Sequence, residues 1–580
     1  MHDRSRLAEL RVDRFLRERL APAIYRTSTP LDLAFWDAPD EPVPFGEAAA
    51  ATYTPIAAGE QWGSPWGTTW FRVRGAIPDE WLSVDGLPAG TRAELVADLG
   101  FTLGQPGFQC EGMVWTTSGR PLRGIAPLNN AVIEAVSPAG DVNVFIEAAS
   151  NPDVGSLFDF APTPLGDKAT AGPGPIYRLR HIDLRLRDLE VTALVADTVA
   201  LRGLADEVDP RSPRRAEILF GLERMIDTVD PDDVAGTATA GRAILAPLLA
   251  RPAVGSAHTL HAVGHAHIDS AWLWPVRETV RKVARTFSNV LSLMDEDPDV
   301  VFAASSAQQY AWIKETYPDL YARIAQRVAE GRFVPVGSMW VESDTNLPGS
   351  EALARQFVAG KGFFLREFGI DTEEVWLPDS FGYSGALPQI AAAAGSRWFL
   401  TQKTSWNETN RMPHHTFRWE GIDGTRLFTH FPPVDTYNSV VSARELAHAE
   451  HNFADKARAS VSLLPYGYGD GGGGPTREMA QAISRTASLE GSPRVRHSSP
   501  QLFFETAEAE YPQPEVWSGE LYLEFHRGTY TSQLATKQGN RRSEHLLREA
   551  ELWATTAAVR AGAEYPTDRL RRAWETVLLQ

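Results

Sequence analysis

Two histidines and an aspartate alternate in the segment HAVGHAHIDSAWLW, residues 261–274. If the segment is an extended strand, His265, His267 and Asp269 lie on one face, because alternate side chains of a strand point the same way. An imidazole and a carboxylate on one face suit Zn²⁺ or Co²⁺, which accept mixed nitrogen and oxygen ligands. A hydrogen-bonded histidine–aspartate pair at a strand end explains the same pattern, so this motif alone is weak evidence for a metal site.

Two further acidic residues stand where short apolar runs end. Asp379 lies in VWLPDSFGYS, where a carboxylate could serve as a nucleophile, a metal ligand or a helix N-cap. Asp470 precedes Gly471–Gly474, and a glycine run lets the backbone approach a ligand, although a flexible loop explains it equally well. Together with a metal that holds sugar hydroxyls, two carboxyl groups suit retaining glycoside hydrolysis, in which one is the nucleophile and the other the acid and then the base.

Seven short apolar runs alternate with helical patterns between residues 259 and 467, and they supply the elements that must position these groups. The runs are TLHAVGHAHID, VVFAASS, RFVPVGSMWVE, EVWLPD, RWFLTQK, RLFTHF and VSLLPYG. Alternating strands and helices predict a mainly parallel sheet, whose active site lies at the carboxyl ends of the strands. The acidic groups and imidazoles collect at those ends, which is typical of a catalytic cleft.

The organisation of the whole chain is predicted to be multidomain, with both helices and strands. Short alternating strands separated by Gly/Pro-rich turns indicate an antiparallel sandwich before the α/β region. The predicted parts are an N-terminal helical segment (1–50), a β-sandwich-like domain (51–195), a helical linker (196–255), an α/β barrel catalytic domain (256–530) and the start of a helical domain (531–580).

Composition excludes several classes of protein. The chain has 580 residues and a formal net charge of −18, and an acidic surface disfavours nucleic acid and anionic membranes. Cys110 is the only cysteine, so no intramolecular disulfide can form, which fits a reducing compartment. The N-terminus lacks an apolar signal core, and no run of about 18 apolar residues occurs. We therefore expect a cytoplasmic protein without nucleic-acid or membrane partners, and the sequence leaves a homo-oligomer open.

Six segments resemble, in order along the chain, the catalytic domain of glycoside hydrolase family 38 α-mannosidases, most nearly the cytosolic type. They are GHAHIDSAWLWP, RFVPVGSMWVESDTNLPGSEAL, VWLPDSFGYSGALPQI, KTSWNETNRMPHHTFRWEGIDGTRLFTHFPP, YGYGDGGGGPT and LEFHRGTYTSQ. The resemblance implies a seven-stranded α/β barrel. It also implies a metal-dependent retaining exo-α-mannosidase, whose substrates are oligosaccharides with terminal α-D-mannosyl residues.

The resemblance also implies roles for individual residues. It makes His267 and Asp269 metal ligands, Asp379 the nucleophile and a third ligand, and Asp470 the acid/base, with one Zn²⁺ or Co²⁺ per chain. Trp272 is expected to pack under the bound mannose. Because flat aromatic faces suit sugar rings, two further tryptophans join the predicted substrate-binding set. That set is completed by Trp340, Asp344, Trp406, His526, Arg527 and Tyr530.

One part of the family pattern has no counterpart in this sequence. The family's fourth metal ligand is a histidine in a Phe-His-Asp motif, and this chain ends in RLRRAWETVLLQ, where that motif should begin. We therefore expect a fragment or a natural truncation, without the C-terminal β domains and with an incomplete metal shell. His526 could replace the missing ligand, but a place in the substrate pocket is favoured. His265 is expected to orient a metal ligand without binding the metal itself.

Two other functions are compatible with the sequence. A metal-dependent carbohydrate deacetylase also uses aspartate, histidine and a metal on an α/β barrel, and it would release acetate from an acetylated sugar. A non-catalytic sugar-binding protein derived from such an enzyme would bind mannose without turnover. The product formed from an aryl α-mannoside distinguishes these functions from a mannosidase.

Overall fold

Two antiparallel sheets pack face to face in the N-terminal part of the computed structural model, which describes residues 4–84, 86–102, 104–153 and 163–580. The strands of this region are β1 (Tyr25–Pro30), β2 (Asp32–Asp37), β3 (Thr54–Pro55), β4 (Gln61–Trp62), β5 (Thr68–Ala76), β6 (Thr91–Asp98), β7 (Glu111–Thr116), β8 (Pro121–Ile125), β9 (Ala131–Val132), β10 (Asp141–Ala149), β11 (Tyr177–Arg178) and β12 (His181–Asp188). One sheet has the order β1–β12–β6–β9 and the other the order β3–β2–β5–β10–β7–β8. Alternate residues of β5 point to opposite sides, so Phe71 packs between the sheets while Trp70 packs against the following domain.

The sandwich begins earlier in the chain than the sequence predicted. Strands β1 and β2 lie within residues 1–50, which were expected to be helical, and they pair with β12 and β5. Strand β1 is polar and largely exposed, and the apolar residues of β2 form one run, residues 33–36, so no alternating pattern reveals either strand. The other domain limits stay predictions.

A helical bundle is formed by one helix that precedes the sandwich in sequence and three that follow it. Helices α1 (Ser5–Phe15), α4 (Leu189–Glu207), α5 (Pro213–Thr228) and α6 (Val234–Leu249) enclose an apolar core, whereas the short helices α2 (Phe45–Ala50) and α3 (Lys168–Ala171) lie between strands of the sandwich. The N-termini of α4, α5 and α6 are capped because the side chains of Asp188, Ser212 and Asp233 accept hydrogen bonds from backbone N–H groups of the first turn.

The second half of the chain contains the predicted parallel strands. Its strands are β13 (Thr259–His265), β14 (Phe302–Ala304), β15 (Phe333–Pro335), β16 (Glu374–Trp376), β17 (Gly382–Tyr383), β18 (Trp398–Leu400), β19 (Thr416–Glu420), β20 (Arg426–His430), β21 (Val461–Tyr466), β22 (Arg494–His497), β23 (Val516–Ser518) and β24 (Leu521–Tyr522). The seven predicted strands are β13 to β16, β18, β20 and β21. They form two parallel ladders, β15–β14–β13–β21 and β16–β18–β20.

One apolar core joins the two ladders into a barrel. It receives side chains from all seven strands or the residues directly after them: Val263, Ala303, Val334, Val336, Trp376, Trp398, Leu400, Phe428, Val461 and Leu463. The helices of this region are α7 (Val276–Glu296), α8 (Ala307–Thr316), α9 (Pro318–Ala329), α10 (Ser350–Phe368), α11 (Leu387–Ala393), α12 (Ala443–Asn452), α13 (Arg477–Thr486) and α14 (Pro500–Glu510). The predicted fold class, a sandwich-like domain followed by a seven-stranded α/β barrel and a helical segment, is confirmed.

The helical segment at the end of the chain packs beside the mouth of the barrel. Helices α15 (Leu534–Ala561) and α16 (Thr567–Leu579) contact each other, and α16 contacts α10 through a hydrogen bond of 2.8 Å from Gln356 Nε2 to the carbonyl oxygen of Leu578. Among the residues described, none of the helices combines the length and apolarity that crossing a bilayer requires.

Sandwich and barrel meet through a buried network of charges on α7 and on the facing sheet. Glu111 binds Lys282 and lies 3.1 Å from Arg285 Nη1, and Arg285 also lies 2.6 Å from Glu278. Arg281 links Glu278 to the sandwich strand β10 through Glu147. Three carboxylates thus balance three cations whose side chains are at most 8% exposed, which holds the two domains in one arrangement.

Removing one charge from this network should destabilise the chain strongly. Glu111→Gln leaves Lys282 and Arg285 short of a buried counter-charge, so we expect the free energy of unfolding to fall by about 3–5 kcal/mol. Urea unfolding followed by circular dichroism and tryptophan fluorescence measures the loss. Glu18→Gln, which breaks the exposed Arg17–Glu18 pair, is the control and should cost less than about 1 kcal/mol. Equal losses in the two variants would contradict a stabilising role for the network.

Candidate active site

The loop after β13 brings three predicted metal ligands together. His267 is 4% exposed, and its Nε2 lies 3.3 Å from Asp269 Oδ1 and 3.3 Å from Asp379 Oδ2. Ligand atoms of the three residues all lie within 4.8 Å of one another. Asp379 comes from the loop after β16, so the ends of two barrel strands form the cluster, as the strand-end rule predicts.

His265 does not share a strand face with His267 and Asp269. Strand β13 ends at His265, so the alternation of side chains stops there and the next residues form a loop. The Nδ1–H of His265 donates to the carbonyl oxygen of Ala303 at 2.9 Å, and Nε2 accepts from Trp376 Nε1 at 3.5 Å. Both ring nitrogens of His265 form hydrogen bonds to other groups inside the barrel, so the expectation that His265 orients a metal ligand is wrong.

Glu342 is a functional residue to which the sequence assigned no role. Its Oε2 accepts a hydrogen bond of 2.7 Å from His267 Nδ1, and its Oε1 accepts one from Ser305 Oγ. A carboxylate that accepts from Nδ1–H fixes the orientation of the imidazole, so that Nε2 points towards the two aspartates, as in metal-bound histidines. The only signal in the sequence is the position of Glu342 at the end of a predicted strand.

The chemistry of the cluster fits a divalent cation. His267 Nε2 and Asp269 Oδ2 are buried without a hydrogen-bond partner, which is costly unless another group satisfies them. Burial lowers the pKa of His267, but Glu342 and Asp269 outweigh burial and hold that pKa well above its ordinary value. The cluster therefore carries excess negative charge. One imidazole and two carboxylates form a donor set that Zn²⁺ and Co²⁺ accept.

Asp379 is kept ionised by its surroundings. Burial alone would raise the pKa of its carboxyl group, but His267 and Lys403 outweigh burial and hold that pKa below its usual value. Lys403 forms an ion pair with Asp379 Oδ1, and its Nζ lies 3.8 Å from the centre of the Trp406 ring. Lys403 was not predicted, because nothing in RWFLTQK shows that the lysine turns towards a carboxylate on another strand.

Asp470 is buried beside the same histidine, but its protonation differs from that of Asp379. Its backbone N–H donates to the carbonyl oxygen of His267 at 2.6 Å, Oδ2 accepts from Asn438 Nδ2 at 3.2 Å, and Oδ1 is buried without a partner. Burial raises the pKa of Asp470 to about 7, and the charges of Asp269 and Asp379 act in the same direction. The carboxyl group is therefore protonated in a large share of molecules at neutral pH.

Glycine is required where the Asp470 loop approaches the end of β13. A Cβ on Gly469 would lie 2.9 Å from the carbonyl oxygen of His267 and 2.5 Å from Asn438 Oδ1. Asp470 itself has a φ of 54°, a left-handed conformation that aspartate tolerates better than most residues. Gly469 thus lets two backbone segments of the protein approach each other, whereas the approach of residues 471–474 to a ligand stays a prediction.

Tyr437 is a third residue that sequence reasoning missed. Its ring lies edge-on to the His267 ring with the centres 5.2 Å apart. Burial raises the pKa of the Tyr437 phenol, and the charges of Asp470, Asp379 and Asp269 raise it further. A neutral phenol among three carboxyl groups can donate a hydrogen bond without adding charge.

A cavity of about 600 Å³ opens over the cluster and is lined by Trp272, Asp344 and Asp379. Trp272 is 48% exposed, as a ring that packs against a ligand requires. Asp344 Oδ1 accepts hydrogen bonds from the backbone N–H groups of Asn346 and Leu347, so this carboxylate also shapes the rim.

Trp340 does not face the cavity. It is 4% exposed and packs in the apolar core with its ring centre 6.1 Å from that of Phe363. The prediction that Trp340 binds substrate is wrong, because a buried tryptophan serves the core as readily as a sugar site.

The other predicted substrate-binding residues lie around the Asp379 loop. The His526 ring packs edge-on to Phe381 at 5.0 Å and is not part of the metal cluster found among the described residues. Arg527 Nη1 donates to the carbonyl oxygen of Glu524, and Tyr530 Oη donates to that of Phe381 at 2.5 Å. Trp406 is 38% exposed and contacts Lys403. Their roles in substrate binding stay predictions.

Comparisons with known protein families cover most of the chain. Residues 257–520 match the N-terminal domain of glycosyl hydrolases family 38, residues 29–185 match the jelly roll domain of α-mannosidases, and residues 524–580 match the α-mannosidase middle domain. The chain is 38% identical to alpha-mannosidase 2C1 of Homo sapiens over 93% of this chain and 50% of that protein. It is 35% identical to an alpha-mannosidase of Saccharomyces cerevisiae over 90% and 48%. The chain thus spans about half the length of the curated relatives that it matches.

Metal binding tests the cluster without reference to catalysis. Titration with Zn²⁺ or Co²⁺ should give about one bound ion per chain by calorimetry and by metal analysis. His267→Ala removes the only imidazole of the cluster and should weaken binding more than about 100-fold, and Glu342→Gln, which alters the partner of Nδ1, about 10–100-fold. His414→Ala, which breaks a pair with Asp455 elsewhere, is the control and should bind normally. Binding by His267→Ala equal to that of the control would refute the metal centre.

Proposed function

The chain belongs to glycoside hydrolase family 38, and from this premise we propose that it is a metal-dependent, retaining exo-α-mannosidase. Its substrates are oligosaccharides that end in α-D-mannosyl residues. The observation that carries the proposal is the convergence of His267, Asp269 and Asp379 on one point, with Asp470 buried beside them. The cytoplasmic location and the choice between Zn²⁺ and Co²⁺ belong to the same proposal.

The two carboxyl groups differ in protonation, and this difference assigns them different catalytic roles. Asp379, with a lowered pKa and an ion pair to Lys403, is the nucleophile that attacks the anomeric carbon. Asp470, with a pKa raised to about 7, donates its proton to the leaving oxygen. It then takes a proton from the water that hydrolyses the glycosyl-enzyme. Environments that push two pKa values apart in this way mark acid and nucleophile in a retaining glycosidase.

The remaining groups bind and orient the sugar. A cation held by His267, Asp269 and Asp379 would supply Lewis-acid stabilisation to sugar hydroxyl oxygens. Trp272 offers a flat apolar face at the wall of the cavity, and the ring C–H groups of mannose pack against such a face.

Replacing the nucleophile should abolish turnover and leave the fold intact. Asp379→Asn keeps the shape of the side chain but not its charge, so kcat for an aryl α-mannoside should fall by more than about 10⁴-fold. Release of free mannose measures the loss, and the melting temperature should stay within a few degrees of that of the unmodified chain.

The control for this experiment is Asp435→Asn, which changes a partly exposed carboxylate paired with His448. Comparable activity of Asp379→Asn and this control would refute the nucleophile assignment. Release of acetate from an acetylated sugar, with no mannose released from the mannoside by the unmodified chain, would identify a deacetylase instead.

Replacing the acid/base should affect substrates according to their leaving groups. Asp470→Asn cannot donate a proton, so kcat/KM for methyl α-mannoside should fall by about 10²–10⁴-fold. The leaving group of 2,4-dinitrophenyl α-mannoside departs without a proton, so kcat/KM for this substrate should fall far less. A series of aryl mannosides measures this dependence. A uniform loss across the series would contradict the acid role.

A further inference from the structure

A loop of the sandwich reaches the active site of the barrel. Residues 104–110, here called the sandwich loop, lead directly into β7. The Phe108 ring lies edge-on to the Trp272 ring with the centres 5.0 Å apart, and its centre lies 6.0 Å from that of Trp274. Phe108 is 8% exposed whereas Trp272 is 48% exposed, so Phe108 supports from behind a ring whose other side faces the cavity.

The same loop touches the backbone that carries Asp470. A Cβ on Gly107 would lie 3.1 Å from the carbonyl oxygen of Asp470 and 3.3 Å from the nitrogen of Gly472. A Cβ on Gly472 would in turn lie 3.0 Å from the Pro106 side chain. Gly107 therefore allows an approach that any larger residue would disturb, and the sandwich sets the position of the Asp470 loop.

The backbone of the sandwich loop is strained at the residue that supports Trp272. Phe108 has a φ of 62°, in the left-handed region that bulky residues rarely adopt. Such a conformation persists only where surrounding contacts impose it, and it is found preferentially at functional sites.

The loop is also anchored firmly on its own domain. Gln109 is fully buried and its Oε1 accepts a hydrogen bond of 2.6 Å from the backbone N–H of Thr102. The backbone N–H of Cys110 donates to Tyr177 Oη at 3.0 Å, and the next residue, Glu111, belongs to the buried charge network. A loop held at both sides can transmit the position of the sandwich to the barrel.

We infer that the sandwich loop is a positioning element of the active site and determines how substrate is held and protonated. Phe108 fixes the orientation of Trp272, and Gly107 sets the position of Asp470 relative to the sugar. The inference rests on the proposed mannosidase function, and it assigns the sandwich a direct part in catalysis.

Kinetics of two variants in the full chain test the inference. Phe108→Ala frees Trp272 to rotate, so KM for methyl α-mannoside should rise about 3–10-fold, with kcat within about 2-fold of the unmodified chain. Gly107→Ala displaces the Asp470 loop, so kcat for methyl α-mannoside should fall about 10-fold or more. With 2,4-dinitrophenyl α-mannoside, which needs no proton donor, the Gly107→Ala loss should be much smaller.

Matched controls separate positioning from stability. Phe35→Ala removes a half-buried ring elsewhere in the sandwich, and Gly174→Ala adds a methyl group where nothing lies within 4 Å. Both should leave KM and kcat unchanged at temperatures below unfolding. Phe108→Tyr retains the aromatic ring, so its KM should equal that of the unmodified chain.

The outcomes distinguish this inference from the proposed function. An active unmodified chain whose Phe108→Ala and Gly107→Ala variants match the two controls would overturn the inference and leave the mannosidase function standing. Parallel losses of kcat for good and poor leaving groups, together with a lowered melting temperature, would also overturn it, because they indicate a structural role alone. Failure of the unmodified chain to hydrolyse any α-mannoside would overturn both.

Discussion

The arrangement at the mouth of the barrel depends on one electrostatic constraint, the confinement of several carboxylates in a small buried space. Asp269, Asp379 and Glu342 surround the single imidazole of His267. Like charges repel strongly where water is excluded, so such a group is stable only with counter-charge or proton uptake. Lys403 supplies part of that counter-charge to Asp379. A bound cation would supply the rest, because the unsatisfied atoms of His267 and Asp269 form a donor set for a cation together with Asp379.

The same constraint gives identical chemical groups different roles. Asp379 and Asp470 are both aspartates that lie near His267, yet the pKa of one is lowered and that of the other is raised to about 7. Contacts with His267 and Lys403 decide the first, and burial, which the charge of His267 offsets only in part, decides the second. The fold creates this difference by delivering the two residues from separate strands, each with its own neighbours.

Much of the fold followed from the sequence, because buried parallel strands are short apolar runs and their polar residues collect at the carboxyl ends. The strand-end rule located the cluster, but the assumption that β13 extends to Asp269 failed, since the strand ends at His265. Trp340 was misplaced because tryptophan suits cores and sugar sites alike. The roles of Glu342 and Lys403 depend on contacts between distant strands, which no local pattern encodes.

The buried charge network between sandwich and barrel affects when the proposed site can be completed during folding. Parts of the site that touch one another, such as the rings of Phe108 and Trp272, come from domains that are synthesised at different times. Each domain has its own apolar core and can collapse separately, but the loop contacts exist only after the domains dock. Under the proposed function, full activity would therefore arise only in molecules whose two domains have docked, so that the rate of turnover would report completed assembly.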